Sequence, residues 1–389
     1  MVISRRRFIH AAAGASALLI APLAVPRLAF ARADTERRFV FVIQRGAADG
    51  LNIVMPYGDP AYAPLRGSLA MDPAGATKLD GMFALHPALV ETARMYAARE
   101  ALFVHAVASP YRDRSHFDGQ NVLETGGSAP YQVKDGWLNR LAGLLPPGPD
   151  AIAFAPSVPM ALRGRTAVTS YAPSALPPAQ DDLLMRVTQL YQHDAQLQPL
   201  WEAATATRAM VGGDANTRAR QDAGTLGKFA AGLLARDDGP RIAMIETAGW
   251  DTHSAQTQRL TTTLKGLDAL LAALRDGLGP HWAHTTVLVA TEFGRTAAEN
   301  GTGGTDHGTA SAAMLIGGAV AGGRVIADWP GLRQADLYEA RDLKPTTALD
   351  ALIAGAAAES LRLDPQRTAQ ALFGQTATAH RPVDGLMRA

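Results

Sequence analysis

Short, wholly apolar runs alternate with longer stretches of helical periodicity along most of this chain. Phe39-Val40-Phe41-Val42-Ile43 is an unbroken β-branched and aromatic run, the pattern of a strand buried on both faces. Ala101 to Val107, Arg241 to Glu246, Thr285 to Thr291 and Ala312 to Ile316 have the same character. Between them, Pro87 to Ala98, Ser115 to Thr125 and the long stretch Gln180 to Arg236 predict helices. From Leu260 to Leu278, Leu267, Leu270, Leu271 and Leu274 fall on one helical face suited to covering a sheet. This alternation predicts an α/β fold of three layers, a mostly parallel sheet with helices on both faces. Pro146, Pro147 and Pro149 mark a loop, and Gly212-Gly213-Asp214 breaks the long helical stretch. Neither divides the chain, so a single domain is expected over residues 32–389.

The first thirty-one residues follow a different rule. Ser4-Arg5-Arg6-Arg7-Phe8-Ile9 has the paired arginines, phenylalanine and aliphatic residue of a twin-arginine export signal. An Ala-rich apolar stretch, Ala11 to Val25, comes next, and Ala29-Phe30-Ala31 offers small residues for cleavage. That stretch is shorter than the ~20 apolar residues needed to span a bilayer. A cleaved signal over residues 1–31 is therefore expected, with no stable membrane anchor. The twin-arginine translocase would be the partner during export, and the periplasm the destination. Removing the leader's four arginines takes the formal charge from +1 to −3, and a mildly acidic body argues against a nucleic-acid partner. The chain has no cysteine, so neither disulfides nor thiolate ligands enter the picture.

In open α/β sheets, sites gather beyond the carboxyl ends of the strands, and here each predicted strand is followed closely by ionisable or small residues. The first runs into Arg45-Gly46-Ala47-Ala48-Asp49-Gly50-Leu51-Asn52, and the run ending at Val107 leads to Arg114-Ser115-His116-Phe117. Gly249-Trp250-Asp251-Thr252-His253 follows the third. Glu292-Phe293-Gly294-Arg295-Thr296 follows the fourth, and Gly304-Thr305-Asp306-His307-Gly308 lies shortly beyond. Taken singly each has an ordinary explanation. Asp-Gly makes turns, Ser115 suits a helix cap, and Asp251 or Thr252 could start a helix. Taken together, acid or His clusters at four strand ends can converge on one point. Carboxylates and imidazoles without thiolates suit a divalent metal, Zn, Mn, Mg or Ca. Asp251, His253 and His307 head the ligand candidates, with Asp49 and Glu292 next.

These five ordered motifs, spread over nearly the whole chain beyond the leader, resemble the bacterial family known as domain of unknown function 1501. More distantly, the pattern is similar to the alkaline phosphatase and sulfatase superfamily, which implies an alkaline phosphatase-like fold. By that resemblance Asp49 falls at the first-strand Asp, Asp251 and His253 at the Asp/His pair, and His307 at the late His. Ala108 to Gly126 is similar to the sulfatase nucleophile segment, with Ala-Ser-Pro at its start and Leu-Glu-Thr-Gly at its end. The Cys/Ser-x-Pro-x-Arg signature of sulfatases is absent, and Glu292-Phe293 replaces the superfamily's acidic-His pair. The resemblance implies a periplasmic metal-dependent hydrolase of phosphate or sulfate esters acting on a small anionic substrate. Ser115 or His116 would attack or transfer the proton, and Arg114 or Arg295 would hold the anion. The alternative is a non-catalytic protein of the cell envelope that binds a ligand or partner on the same fold.

Overall fold

The computed structural model describes residues 36–146, 151–172, 181–194, 197–198, 201–202, 204–205, 222–374 and 380–388. The leader, Pro147 and Pro149, and Gly212-Gly213-Asp214 lie outside the described residues.

Twelve strands are described: β1 (Arg38–Gln44), β2 (Val54–Met55), β3 (Thr77–Lys78), β4 (Ala84–Leu85), β5 (Ala101–Ala108), β6 (Ala151–Phe154), β7 (Thr169–Ser170), β8 (Ile242–Thr247), β9 (Thr285–Thr291), β10 (Ser311–Ile316), β11 (Arg324–Ile326) and β12 (Thr347–Ala348). Nine form one sheet in the order β11-β5-β10-β9-β1-β8-β6-β7, with β12 paired to β5. β2, β4 and β3 form a small antiparallel sheet. All five runs expected as strands are strands. β1 is central and pairs in parallel with β8 and β9. Every residue of β1, β5, β9 and β10 is buried, which is why these runs show no polar alternation.

Alternate β1 side chains feed two cores. Phe39, Phe41 and Ile43 pack with Trp137 and the helix Leu349–Leu361 on one face. Val40 and Val42 pack on the other with the helices Ala223–Leu234 and Gln256–Leu278. The leucines at 267, 270, 271 and 274 all lie in this second core. The architecture is thus α/β, a mostly parallel sheet between helical layers.

One strand departs from the parallel scheme: β10 runs antiparallel to both β9 and β5. Its apolar run carries no mark of direction, since a strand buried on both faces looks alike either way. The reversal has a consequence. β1, β5, β8 and β9 deliver their carboxyl ends to one edge of the sheet, and β10 begins at that same edge, bringing the residues before Ser311 to it.

A fully buried histidine lies within β5. His105 is stacked on Phe83 at 5.3 Å and meets the edge of Trp329. Its Nε2 donates to Val54 O (2.9 Å), and its Nδ1 accepts from Ala106 N (2.8 Å). Burial depresses its pKa to about 4, and burial does the same to His86. Both folded values lie below the ~6.5 of a free imidazole, so the unfolded chain takes up these protons first. Their contribution is therefore complete above pH ~6.5 and is lost as pH falls towards about 4, on the order of 3 kcal/mol for each group. Denaturant midpoints measured from pH 7 to pH 4.5 should fall for the wild type. The slope should be distinctly flatter for His105→Asn; an unchanged slope would show that this ring titrates normally in the fold.

Candidate metal centre

Four segments meet at the sheet edge. From β1, the chain turns at Gly46, whose φ of 118° is open to glycine. A Cβ there would lie 2.6 Å from Asp251 N, so the turn after β1 and the segment after β8 are in direct backbone contact. After β9, Glu292 is fully buried and accepts from Gly46 N (2.8 Å). The loop after β5 ends at Ser115, the N-cap of the helix His116–Thr125. Asp306 and His307 arrive ahead of β10.

Three imidazoles surround the Asp251 carboxylate. His116, Asp251 and His307 offer ligand atoms all within 4.8 Å of one another. His116 Nε2 lies 3.5 Å from Asp251 Oδ2, while His253 Nε2 and His307 Nε2 lie 3.0 and 3.4 Å from Asp251 Oδ1. His253 Nε2 and His307 Nε2 are 3.0 Å apart.

The other nitrogen of each ring is tied to an oxygen. His116 Nδ1 meets Glu292 Oε1 (2.8 Å), His253 Nδ1 meets Asp306 Oδ1 (3.0 Å) and His307 Nδ1 meets Arg114 O (2.8 Å). Carbonyl and carboxylate oxygens only accept, so Nδ1 carries the proton in all three rings. A ring that carries no second proton then turns an Nε2 lone pair towards the same carboxylate. Lone pairs at these separations repel unless a positive charge lies between them. The buried His116 Nε2 has no hydrogen-bond partner among the described residues. Ligand atoms on a tetrahedron with bonds of ~2.05 Å sit roughly 3.3 Å apart; four of the separations here, taken to both oxygens of Asp251, are 3.0–3.5 Å, and His116, Asp251 and His307 form the group that lies mutually within 4.8 Å. The residues therefore fit a divalent cation, and the tying of each Nδ1 is the usual support of a metal-bound imidazole.

The charges around the cluster are fixed by partners. Burial alone would raise the Glu292 carboxyl, but hydrogen bonds from His116, Gln120 and Gly46 outweigh it and hold the group ionised. That same bond to Glu292 raises His116, against the effect of burial. His307 is lowered, chiefly by burial. Asp251 would be raised by burial, but the Arg295 guanidinium 2.8 Å away holds it below the usual range.

The structure assigns different places to the residues singled out from sequence. Asp251, His253, His307 and His116 come together. Glu292 touches the cluster through His116 rather than joining it. Asp49 is kept away: its carboxylate is buried against Arg66 and Gln256, and it caps the helix Gly50–Ile53 by accepting from Leu51 N. A carboxylate saturated by protein donors has no lone pair to spare for the cluster. Neither arginine expected to hold an anion is free for it. Arg295 is buried and donates to Asp251 and Thr305. Arg114 is paired with Asp342 and Glu339 and lends the cluster only its backbone carbonyl. Ser115 donates its N–H to Tyr111 Oη (3.1 Å) and makes no side-chain cap.

Several contributors carried no individual sequence signal. Phe293 stacks on His116 at 5.2 Å, and Gln120 supports Glu292. Gln256 Oε1 accepts from Thr305 Oγ1 (2.6 Å) while its amide reaches Asp49 and Asn52. Asp306, part of the motif that carries His307, supports His253 rather than joining the cluster.

An α/β protein with a three-imidazole, one-carboxylate cluster at the carboxyl edge of its sheet is thus defined. The chain belongs to the family described as "Protein of unknown function (DUF1501)", whose pattern matches residues 36–373. No curated protein matches its sequence. Solved structures to which it is similar include the zinc complex of the C-terminal periplasmic domain of EcEptC from Escherichia coli. That match has 9% identity, covers 74% of each chain and has a TM-score of 0.37. The phosphonate monoester hydrolase of Agrobacterium radiobacter is another, at 12% identity over 85% of this chain and 75% of that one, with a TM-score of 0.36.

The Gly46 contact yields a direct expectation. Gly46→Ala should destabilise the fold by on the order of 2 kcal/mol, through the strained φ and the collision with Asp251 N. The folded fraction should bind divalent metal more weakly, because Asp251 is displaced. Thermal unfolding and metal titration of that variant check both points.

Proposed function

We propose that this protein is a periplasmic, metal-dependent hydrolase of phosphate or sulfate esters. The observation that carries the reading is the convergence of three imidazole Nε2 atoms on Asp251, each ring fixed by an oxygen on its Nδ1. Of Zn, Mn, Mg and Ca, the imidazole-rich donor set favours Zn, since the other three are better suited by oxygen ligands. A divalent ion held there would supply Lewis-acid polarisation of the ester and ease deprotonation of an attacking hydroxyl or water.

The chain's own residues divide the remaining work. Glu292, Asp306 and the Arg114 carbonyl keep each imidazole in the tautomer that presents Nε2. Arg295 holds Asp251 ionised and oriented. Of the two nucleophile candidates, His116 belongs to the ligand set, which leaves Ser115 beside it at the helix start. Its side chain makes no cap hydrogen bond, and in this reading its hydroxyl would be the nucleophile. Its attack on phosphorus or sulfur would form a serine ester as the bond to the alcohol oxygen breaks, the serine proton ending on the departing alcohol, and water would then cleave the serine ester to release phosphate or sulfate and restore the hydroxyl.

The commitment of Arg114 and Arg295 to carboxylates favours a second reading, a metal-binding envelope protein without turnover. Elemental analysis of wild type, His116→Ala and His307→Ala, purified without chelator, tests the first step. About one Zn per wild-type chain is expected, with loss in both variants. Wild type that takes up no divalent ion would end the hydrolase reading. If metal binds but aryl phosphate and aryl sulfate esters are untouched, the non-catalytic reading stands instead. Affinity should weaken as pH falls through the imidazole range, because protons compete for Nε2.

Export through the twin-arginine route belongs to the same proposal. It is supported by the Arg5-Arg6 pair and the Ala29-Phe30-Ala31 site. Among the described residues no helix is long and apolar enough to cross a membrane. Replacing Arg5 and Arg6 together by Lys should leave uncleaved precursor in the cytoplasm; normal processing of that variant would refute the assignment.

A further inference from the structure

The cluster has an inner and an outer side. His116 and His307 are about one-quarter exposed, at 23% and 25% of the side chain, and are wedged against each other and Phe293. His253 is 45% exposed and its Nδ1 partner Asp306 is 58% exposed. Packing therefore fixes two of the imidazoles, while the third needs another restraint. A side chain this open would otherwise retain its rotamer freedom, and its place in a ligand set would carry that entropy cost.

The restraint comes from one loop residue. Asn300 Nδ2 donates to His253 O (2.9 Å) and to Asp306 Oδ1 (3.2 Å). It thus ties the backbone of His253 and the carboxylate that grips His253 Nδ1 to a single planar amide. Asn300 Oδ1 accepts from Thr302 N (3.0 Å) and Gly304 N (3.0 Å), which closes the loop on itself. Thr302 Oγ1 donates to His253 O (2.6 Å) from the same turn. Gly304 lies so close that a Cβ there would sit 2.4 Å from the His253 carbonyl carbon, so the loop is seated directly on this ligand's backbone. Thr302 Oγ1 also lies 2.9 Å from Asn300 Oδ1, and every hydrogen bond given for the amide serves His253, Asp306 or the loop that carries them.

We propose that Asn300 is a positioning residue that decides whether His253 belongs to the metal's ligand set. It does so by fixing both ends of the His253–Asp306 pair. The inference rests on the metal-site reading above. Asn300 itself makes no hydrogen bond to the cluster's Nε2 atoms. Its effect must therefore pass through His253, and that pathway is what separates it from a loop residue that only stabilises the fold.

The test is a double-mutant comparison on the full mature chain, with zinc and cobalt as probes. Zinc affinity is measured by competition with a chromophoric chelator for wild type, Asn300→Ala, His253→Ala and the double variant. Asn300→Ala should weaken zinc binding by roughly 10- to 100-fold. The double variant should bind as His253→Ala does, since Asn300 has nothing left to position. The visible absorption of the cobalt-loaded protein should change alike in the two single variants, because both alter the coordination shell. Asn300→Asp keeps the acceptor for Thr302 and Gly304 but loses the donor towards His253 and Asp306. It should reproduce the affinity loss with the loop intact, and it serves if the alanine variant does not fold. Unchanged zinc affinity in both Asn300 variants, or a loss that adds to that of His253→Ala, would overturn the proposal while leaving the metal site standing. A wild type that binds neither metal would remove the metal-site reading and this inference together.

Discussion

The site is built around the placement of one carboxylate, Asp251, against a buried arginine. Arg295 is fully buried at its side chain, and a guanidinium removed from water needs a compensating charge and a partner for each donor. Asp251 supplies the charge at 2.8 Å, and Thr305 receives the remaining donors. The pairing fixes the direction of Asp251 and keeps it ionised. A second constraint acts from the backbone, where the glycine turn at Gly46 lets the chain after β1 press on Asp251 N. Held from both sides, the carboxylate becomes the point on which three imidazoles can converge.

That anchorage continues inward as a chain of polar contacts. Thr305 Oγ1 donates to Gln256 Oε1, the Gln256 amide reaches Asp49 and Asn52, and Arg66 closes the set with bonds to both. Arg66 also donates to the carbonyls of Thr296 and Ala297, just past Arg295. Such a network is costly when broken and restrictive when complete. Here it ties the turn after β1, the start of the helix Gln256–Leu278 and the loops flanking β9 and β10 into one frame. Asp49 serves that frame, which explains its burial far better than a ligand role would.

The fold was readable because its strands are buried on both faces. Phe39 to Ile43 has no polar residue to obscure it, and the positions of β5, β8, β9 and β10 follow from runs of the same kind. The direction of β10 was not readable, because hydrophobicity along a doubly buried strand is the same in either sense. For the site, Asp251, His253 and His307 stood out as acids and imidazoles crowding strand ends. Their division of labour did not, since it depends on which nitrogen meets which oxygen across some fifty to two hundred residues. Arg114 and Arg295 look interchangeable in sequence, yet one lends a carbonyl and the other a buried guanidinium. Gln256, Arg66 and Asn300 matter through long-range amide and guanidinium contacts, for which composition and spacing offer no cue.

The central claim is that Asp251, His116, His253 and His307 form one cation site on this frame. Anomalous diffraction at the zinc absorption edge, from crystals of the wild-type chain grown with zinc and without chelator, tests it most directly. The account predicts a single strong peak about 2.0–2.2 Å from an oxygen of Asp251 and from the Nε2 atoms of the three histidines. A zinc peak elsewhere, or a cluster whose Nε2 atoms are bridged only by protons and water at saturating zinc, would contradict it.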